Sequence, residues 1–192
     1  MSGLAEPGGV VWCSLSPSKT RKLPYSWELV EVGGGFVDVN TSRPNRLVNE
    51  ALAAGAIPQL AGYTSIRPEV AYGERSRVDF LLEAQGRAPC WVEVKGVTLS
   101  RRRGLAEWPD CISTRGARHL AELGARARAG ERAVVVFVVQ RSDCDRCGVA
   151  ADLDPTFAAA LTSAVEAGVE VLAYRCELSQ ASITLAGQVR FG

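Results

Sequence analysis

The spacing of apolar residues changes character near position 41. Ahead of it, short runs with strand-like alternation, GVVWCSLS, YSWELVEVG and GFVDVN, are interrupted by Pro17, Pro24 and the triple glycine Gly33–Gly35. Beyond it, helical and strand periods take turns. TSRPNRLVNEALAAG places Thr and Ser before a proline and Gly55 after the last apolar residue, which brackets a helix from about Pro44 to Ala54. Three strand candidates follow: IRPEVAYG, SRVDFLLEA and PCWVEVKGVTL. Then come a helix near 114–129 ending at Gly130, a strand in RAVVVFVVQ, and a helix in DPTFAAALTSAVEAG with Asp154 as N-cap, Pro155 in the first position and Gly168 past the end. VEVLAYRCEL closes the core as a strand. This order predicts an α/β sandwich with a mixed sheet over residues 41–192, preceded by a β segment over residues 1–40.

Composition narrows the picture. A chain of 192 residues with 47% hydrophobic content can bury one good core, or a core with a small appendage. The net charge of +1 gives no global steering toward nucleic acid, so any basic surface must be local. The longest apolar run, in RAVVVFVVQR, is bounded by arginines after about eight residues, too short to span a bilayer and right for a central strand. The N-terminal MSGLAEPGGVVWCSL lacks the basic-then-apolar grammar of a secretory signal, so a soluble, cytoplasmic protein is expected. Cys13, Cys90, Cys111, Cys144, Cys147 and Cys176 sit in unlike contexts, as thiols of a reducing compartment do. Cys144 and Cys147, in CDRC, have metal-like spacing within an expected polar loop. Zinc needs three or four protein ligands and no second pair accompanies them, so coincidence outweighs a structural zinc or a redox pair.

Charged residues interrupt the two runs around residues 75–99. The strands SRVDFLLEA and PCWVEVKGVTL are separated by a short loop containing Gly86, the signature of a hairpin. If Gly86 is its centre, Asp79 lies seven residues before and Glu93 seven after, so they face each other across the strands. Cross-strand neighbours have Cβ atoms roughly 5 Å apart, where two carboxylates repel unless a divalent cation such as Mg²⁺ or Mn²⁺ lies between them. Alternation puts Trp91, Glu93 and Lys95 on one face, with Gly96 marking a bulge or bend. Lys95 would then stand beside the metal, placed to help an attacking water or a phosphate. The bland alternative is a solvated hairpin face, which an isolated D…ExK match most often is; apolar flanks on both strands argue for the site.

Basic residues gather locally. Residues 87–146 hold twelve Lys/Arg against seven Asp/Glu, a surplus that could track a phosphate backbone. Arg101, Arg102 and Arg103 form a run in an expected loop. Arg115, Arg118 and His119 lie on the helix after the hairpin at three- and four-residue spacing, although a lone histidine is more often packed or superficial. In the β segment Lys19, Arg21 and Lys22 interleave with Tyr25 and Trp27, the mixture of charge and stacking surface that single-strand binders use, or else aromatic core.

YGERSRVDFLL, WVEVKGVTL, WPD…TRGARHLAEL, RAVVVFVVQR, DPTFAAAL and AGVEVLAY, in that order over nearly the whole chain, resemble the sugar fermentation stimulation protein A (SfsA) family. The resemblance implies an OB-like β domain followed by a domain similar to PD-(D/E)xK nucleases, and DNA binding with a regulatory role in sugar (maltose) metabolism. It carries nuclease-type positions onto Asp79, Glu93 and Lys95, and makes Glu50, on the preceding helix, an auxiliary metal ligand. The family usually begins with a further stretch containing a CPNTG-like segment, so the β segment here is expected to be a partial OB unit. VEVKG also stands where the family commonly has VEVKS. Two functions follow as expectations: a Mg²⁺- or Mn²⁺-dependent DNA nuclease binding largely without sequence preference, or a non-catalytic DNA-binding regulator that keeps the nuclease-like fold.

Overall fold

The computed structural model describes residues 3–18, 20–72 and 76–192. It opens with a three-stranded antiparallel sheet, β1 (Val11–Leu15), β2 (Tyr25–Val32) and β3 (Gly35–Asp38), followed by α1 (Arg43–Ala53) and a 3-10 turn at Pro58–Leu60. The strands β4 (Ser65–Tyr72), β5 (Ser76–Glu83) and β6 (Cys90–Val97) come next, then β7 (Leu99–Arg102) and β8 (Gly104–Trp108). After α2 (Thr114–Arg128) come β9 (Arg132–Val139), β10 (Cys144–Val149), α3 (Pro155–Glu166), β11 (Glu170–Leu178), β12 (Ile183–Gln188) and β13 (Arg190–Phe191).

The main sheet runs β12-β11-β9-β6-β5-β4, mixed as expected: β6, β9 and β11 are parallel, while β4, β5 and β12 pair antiparallel at the flanks. Central parallel strands are covered on both faces, which is why β9 reads as an unbroken Val-rich run. Val134, Val136 and Val138 face α1 with Leu47, Val48 and Leu82, whereas Val135, Phe137 and Val139 face α2 and α3 with Leu120, Leu123 and Phe157.

Asp154 ties the starts of two helices together. Its Oδ1 accepts from Phe157 N–H as the N-cap of α3, and its Oδ2 accepts from Ser113 N–H, whose own hydroxyl caps α2 at Gly116. The N-terminal sheet is fastened by β3. Val37 bridges Arg141 just beyond β9, and buried Asp38 accepts from Gln140 Nε2 (2.8 Å) and Arg43 Nε (3.0 Å). Burial pushes the Asp38 carboxyl above its ordinary value, against the pull of those donors.

Three local expectations are corrected. The strand expected over PCWVEVKGVTL runs as β6 and stops at Val97, and the SRRRG segment is no loop: β7, starting at Leu99, and β8 form a hairpin whose tight turn needs Gly104 at φ +75°. CDRC is likewise a strand, β10, pairing in parallel with β8, and Cys144 and Cys147 turn inward as free, buried thiols. Burial pushes Cys147 up to about 12, so it packs as a small hydrophobe. Gly96 marks no bulge, because β6 stays in continuous register with β9 from Cys90 to Val97. Glycine is required there because a Cβ would meet Pro44 Cγ at 2.7 Å and collide with Gln140 Oε1. Gly96→Ala is therefore expected to destabilise the protein by about 1–3 kcal/mol through overpacking, read as a lowered denaturation midpoint with unchanged m-value.

Candidate active site

The β5–β6 hairpin has the register that Gly86 implied. Phe80 pairs with Val92, Leu81 with Trp91 and Leu82 with Cys90, which continues to Asp79 opposite Glu93. At that point a side chain replaces the backbone acceptor: Asp79 Oδ2 accepts from Val94 N–H at 2.7 Å. Its other oxygen accepts from Asn45 Nδ2, also at 2.7 Å, reaching down from the first turns of α1. Asp79 is thereby fixed by a strand on one side and a helix on the other.

Glu93 is 2% exposed. Its Oε1 accepts from Lys95 Nζ at 2.6 Å and is hydrogen-bonded to His119 Nδ1, while its Oε2 is buried with no hydrogen-bond partner among the described residues. His119, equally buried, accepts at Nε2 from Arg115 Nε at 3.3 Å. Lys95 Nζ lies 5.6 Å from the centre of the Trp108 ring, which packs on Phe157. Tyr72 stacks on Trp91 and meets the His119 ring edge-on.

The electrostatics separate the two carboxyls. Burial, and then the charge of Glu93, push Asp79 up to about 6, although Val94 N–H, Asn45 and Lys95 oppose the shift. Burial pushes Glu93 upward as well, yet the donors on His119 and Lys95 outweigh it and hold its carboxyl below the ordinary value. Burial and the charges of Glu93, Glu122 and Asp79 drive the Tyr72 phenol upward. An ionised carboxylate with an idle oxygen, beside a second carboxyl whose ionisation is opposed by burial and by Glu93, fits a hard divalent ion. Among the described residues no group of three or more His, Cys, Asp or Glu gathers around such a point, so water, backbone carbonyl or phosphate oxygens would complete the coordination, as Mg²⁺ commonly requires.

The structure brings together Asp79, Glu93, Lys95, His119 and Arg115. It does not bring Glu50 to them: that side chain lies on the exposed surface of α1, paired with Arg46 at 3.5 Å. Glu50 is five residues from Asn45, about 140° round the helix, so the two cannot serve the same cleft. Arg101 is committed to Glu107 and Asp152, and Arg102 also reaches Glu107, whose buried carboxyl is held below its ordinary value first by Arg101. Arg103 and Arg118 are exposed. Arg21 is exposed and donates to Ser26 Oγ, Lys22 is exposed, and Lys19 lies outside the described residues. Tyr25 is exposed and Trp27 half-buried, its Nε1 donating to Leu29 O. Sequence reasoning missed Asn45, Tyr72 and Glu122. Arg115, His119, Glu122 and Arg126 recur at intervals of four, three and four along α2, a polar stripe that could have revealed Glu122.

A mixed sheet with helices on both faces, carrying Asp79 opposite Glu93-x-Lys95 on a central hairpin, defines an α/β protein with a small N-terminal β unit. Family models agree with that architecture: the SfsA N-terminal OB domain matches residues 1–39 and the sugar fermentation stimulation protein RE domain matches residues 42–182. The chain belongs to the SfsA family. It is 51% identical over 189 residues to the sugar fermentation stimulation protein homolog of Caulobacter vibrioides, covering 98% of this chain and 79% of that protein. It is 54% identical over 185 residues to the homolog of Paramagnetospirillum magneticum, covering 96% and 78%. Among solved structures, Pyrococcus furiosus SfsA in complex with Ca²⁺ superposes with a TM-score of 0.89 at 29% identity, covering 98% of this chain and 80% of that one.

The raised Asp79 pKa makes a signed prediction for the metal-free protein. Ionising Asp79 is harder in the folded state than in the unfolded chain, so its contribution to stability is present below about pH 4 and is lost as pH rises through about 6. Relative to wild type, Asp79→Asn should gain about 2 kcal/mol between pH 4 and pH 7 in denaturant titrations with chelator, a figure reduced for partial solvent screening. A flat difference across that range would show that neither burial nor the charge of Glu93 penalises ionisation of Asp79.

Proposed function

We propose that this protein is a divalent-metal-dependent DNA phosphodiesterase, with Mg²⁺ or Mn²⁺ held by Asp79 and Glu93. The observation that carries the reading is Glu93 Oε2, a buried carboxylate oxygen without a partner among the described residues, with Asp79 across the hairpin and Lys95 beside it. An interior keeps such an atom only at a cost, unless a ligand claims it. That the Pyrococcus furiosus relative is a complex with Ca²⁺, another ion that seeks carboxylate oxygens, supports the assignment.

The bound ion would lower the pKa of a water and draw charge from a phosphoryl oxygen. The remaining work belongs to the chain. Lys95 stands two residues along the strand from Glu93, with Nζ close enough to turn from Oε1 to the attacking water or a non-bridging phosphate oxygen. Trp108, backed by Phe157, lies beside the lysine head and would narrow its range of positions. Exposed Arg102, Arg103, Arg115 and Arg118, with Arg21 and Lys22 of the N-terminal sheet, would hold the phosphate backbone, and exposed Tyr25 offers a stacking surface. Arg101 braces this surface through Glu107 and Asp152. Scattered arginines without a recognition helix imply weak, largely sequence-independent binding that falls steeply with salt. Six free cysteines fit a cytoplasmic setting, and no helix among the described residues is long and apolar enough to cross a membrane.

Incubation with single- and double-stranded DNA, with Mg²⁺ or Mn²⁺ and with chelator, tests the reading. Cleavage should require the metal, and Lys95→Ala should reduce it by about 100-fold or more while Mn²⁺ still binds. Salt-sensitive DNA binding with no metal-dependent cleavage of either substrate would sink the enzyme and leave the DNA-binding regulator.

A further inference from the structure

We infer that His119, held by Arg115, is the positioning residue that keeps Glu93 aimed at the cation while Lys95 serves the substrate. The inference rests on the metal site proposed above. Two donors share Glu93 Oε1, Lys95 Nζ and His119 Nδ1, and this leaves Oε2 as the carboxylate's oxygen without a partner among the described residues. They are not equivalent. Lys95 has a long flexible stem and cannot hold Oε1 and a phosphate or water with the same hydrogen. His119 is 2% exposed, on a helix, with its ring set edge-on against Tyr72 at 6.3 Å, and it has nowhere to go. When Lys95 turns, His119 alone restrains the carboxylate.

Arg115 decides which way the imidazole donates. An arginine Nε can only donate, so the 3.3 Å contact makes His119 Nε2 the acceptor and places the ring hydrogen on Nδ1, facing Glu93. Arg115 reaches the carboxylate only through the ring, one helical turn along α2. Neither residue need touch DNA for its loss to be felt at the metal. This differs from a phosphate-binding histidine, because Glu93 and Arg115 already occupy both ring nitrogens.

Mn²⁺ titration calorimetry on the full chain tests the chain of contacts, with thermal denaturation in chelator as a control for folding. His119→Phe keeps the ring volume and removes the donor; it should weaken Mn²⁺ binding by about ten-fold or more, the usual cost of losing a group that orients a metal ligand. His119→Asn places an amide N–H close to the position of Nδ1 and should restore binding to within about three-fold, which a purely space-filling role would not predict. Arg115→Met should weaken Mn²⁺ binding by a smaller factor. Because the chain has one histidine, its ¹⁵N shifts report the tautomer directly: Nδ1–H in wild type, a mixture in Arg115→Met. Unchanged Mn²⁺ affinity in His119→Phe, failure of His119→Asn to restore it, or an Nε2–H tautomer in wild type each overturns the inference. If wild type itself takes up no Mn²⁺, the metal site falls and this role with it, a result distinct from a wild type that binds and a His119→Phe that binds equally.

Discussion

Burying Glu93 opposite Asp79 puts two carboxyls into a sheet whose neighbouring positions are apolar, and the surrounding elements are placed to manage that charge. Lys95 and His119 satisfy one Glu93 oxygen, while Asn45 and Val94 N–H satisfy Asp79. One oxygen remains idle. A sheet that needed only stability would fill these positions with valine, as β9 does. The donors come from β6, α1 and α2, so the site forms only where both helical layers close on the same hairpin.

That convergence sets tight tolerances. Pro44 and Gln140 crowd the place where residue 96 would carry a Cβ, which brings α1 close enough for Asn45 to reach Asp79. On the other face, α2 begins at Ser113, whose N–H is held by the carboxylate that caps α3. His119 therefore has its depth fixed by a contact far from the charged groups it serves.

Much of this was readable from residue order. The hairpin centre at Gly86 fixes the register, since a loop there leaves Asp79 and Glu93 equidistant from it, and the Val-rich run of β9 announces a strand covered on both faces. The second sheet was less legible because Arg101–Arg103 and CDRC look like polar loops. CDRC pairs with β8, distant in sequence, and in the β7–β8 hairpin the alternation is masked by Arg101 and Arg102, whose guanidinium groups fold back onto Glu107. Glu50 drew attention as a carboxylate on the right helix, but the helix's rotation decides which residue faces the hairpin, and that is set by Leu47, Val48 and Ala51 packing on the sheet. Asn45 followed from no residue-type rule, since an amide that braces a carboxyl looks like any polar residue near a helix start.

The segment between the N-terminal sheet and the helical layer behaves as a spacer gauge. Asp38 is pinned at one end by Gln140 and Arg43, and Asn45 at the other by Asp79, with seven residues from one to the other. Exchanges of side chain at the exposed positions 41 and 42 leave both pins in register, whereas Val39 belongs to the core of the first sheet and Asn40 is bonded to Glu28. Insertion or deletion of a single residue would turn α1 by about 100° or shift the first sheet off the end of β9. The joint between the two units should therefore tolerate change at its exposed positions while its length stays fixed.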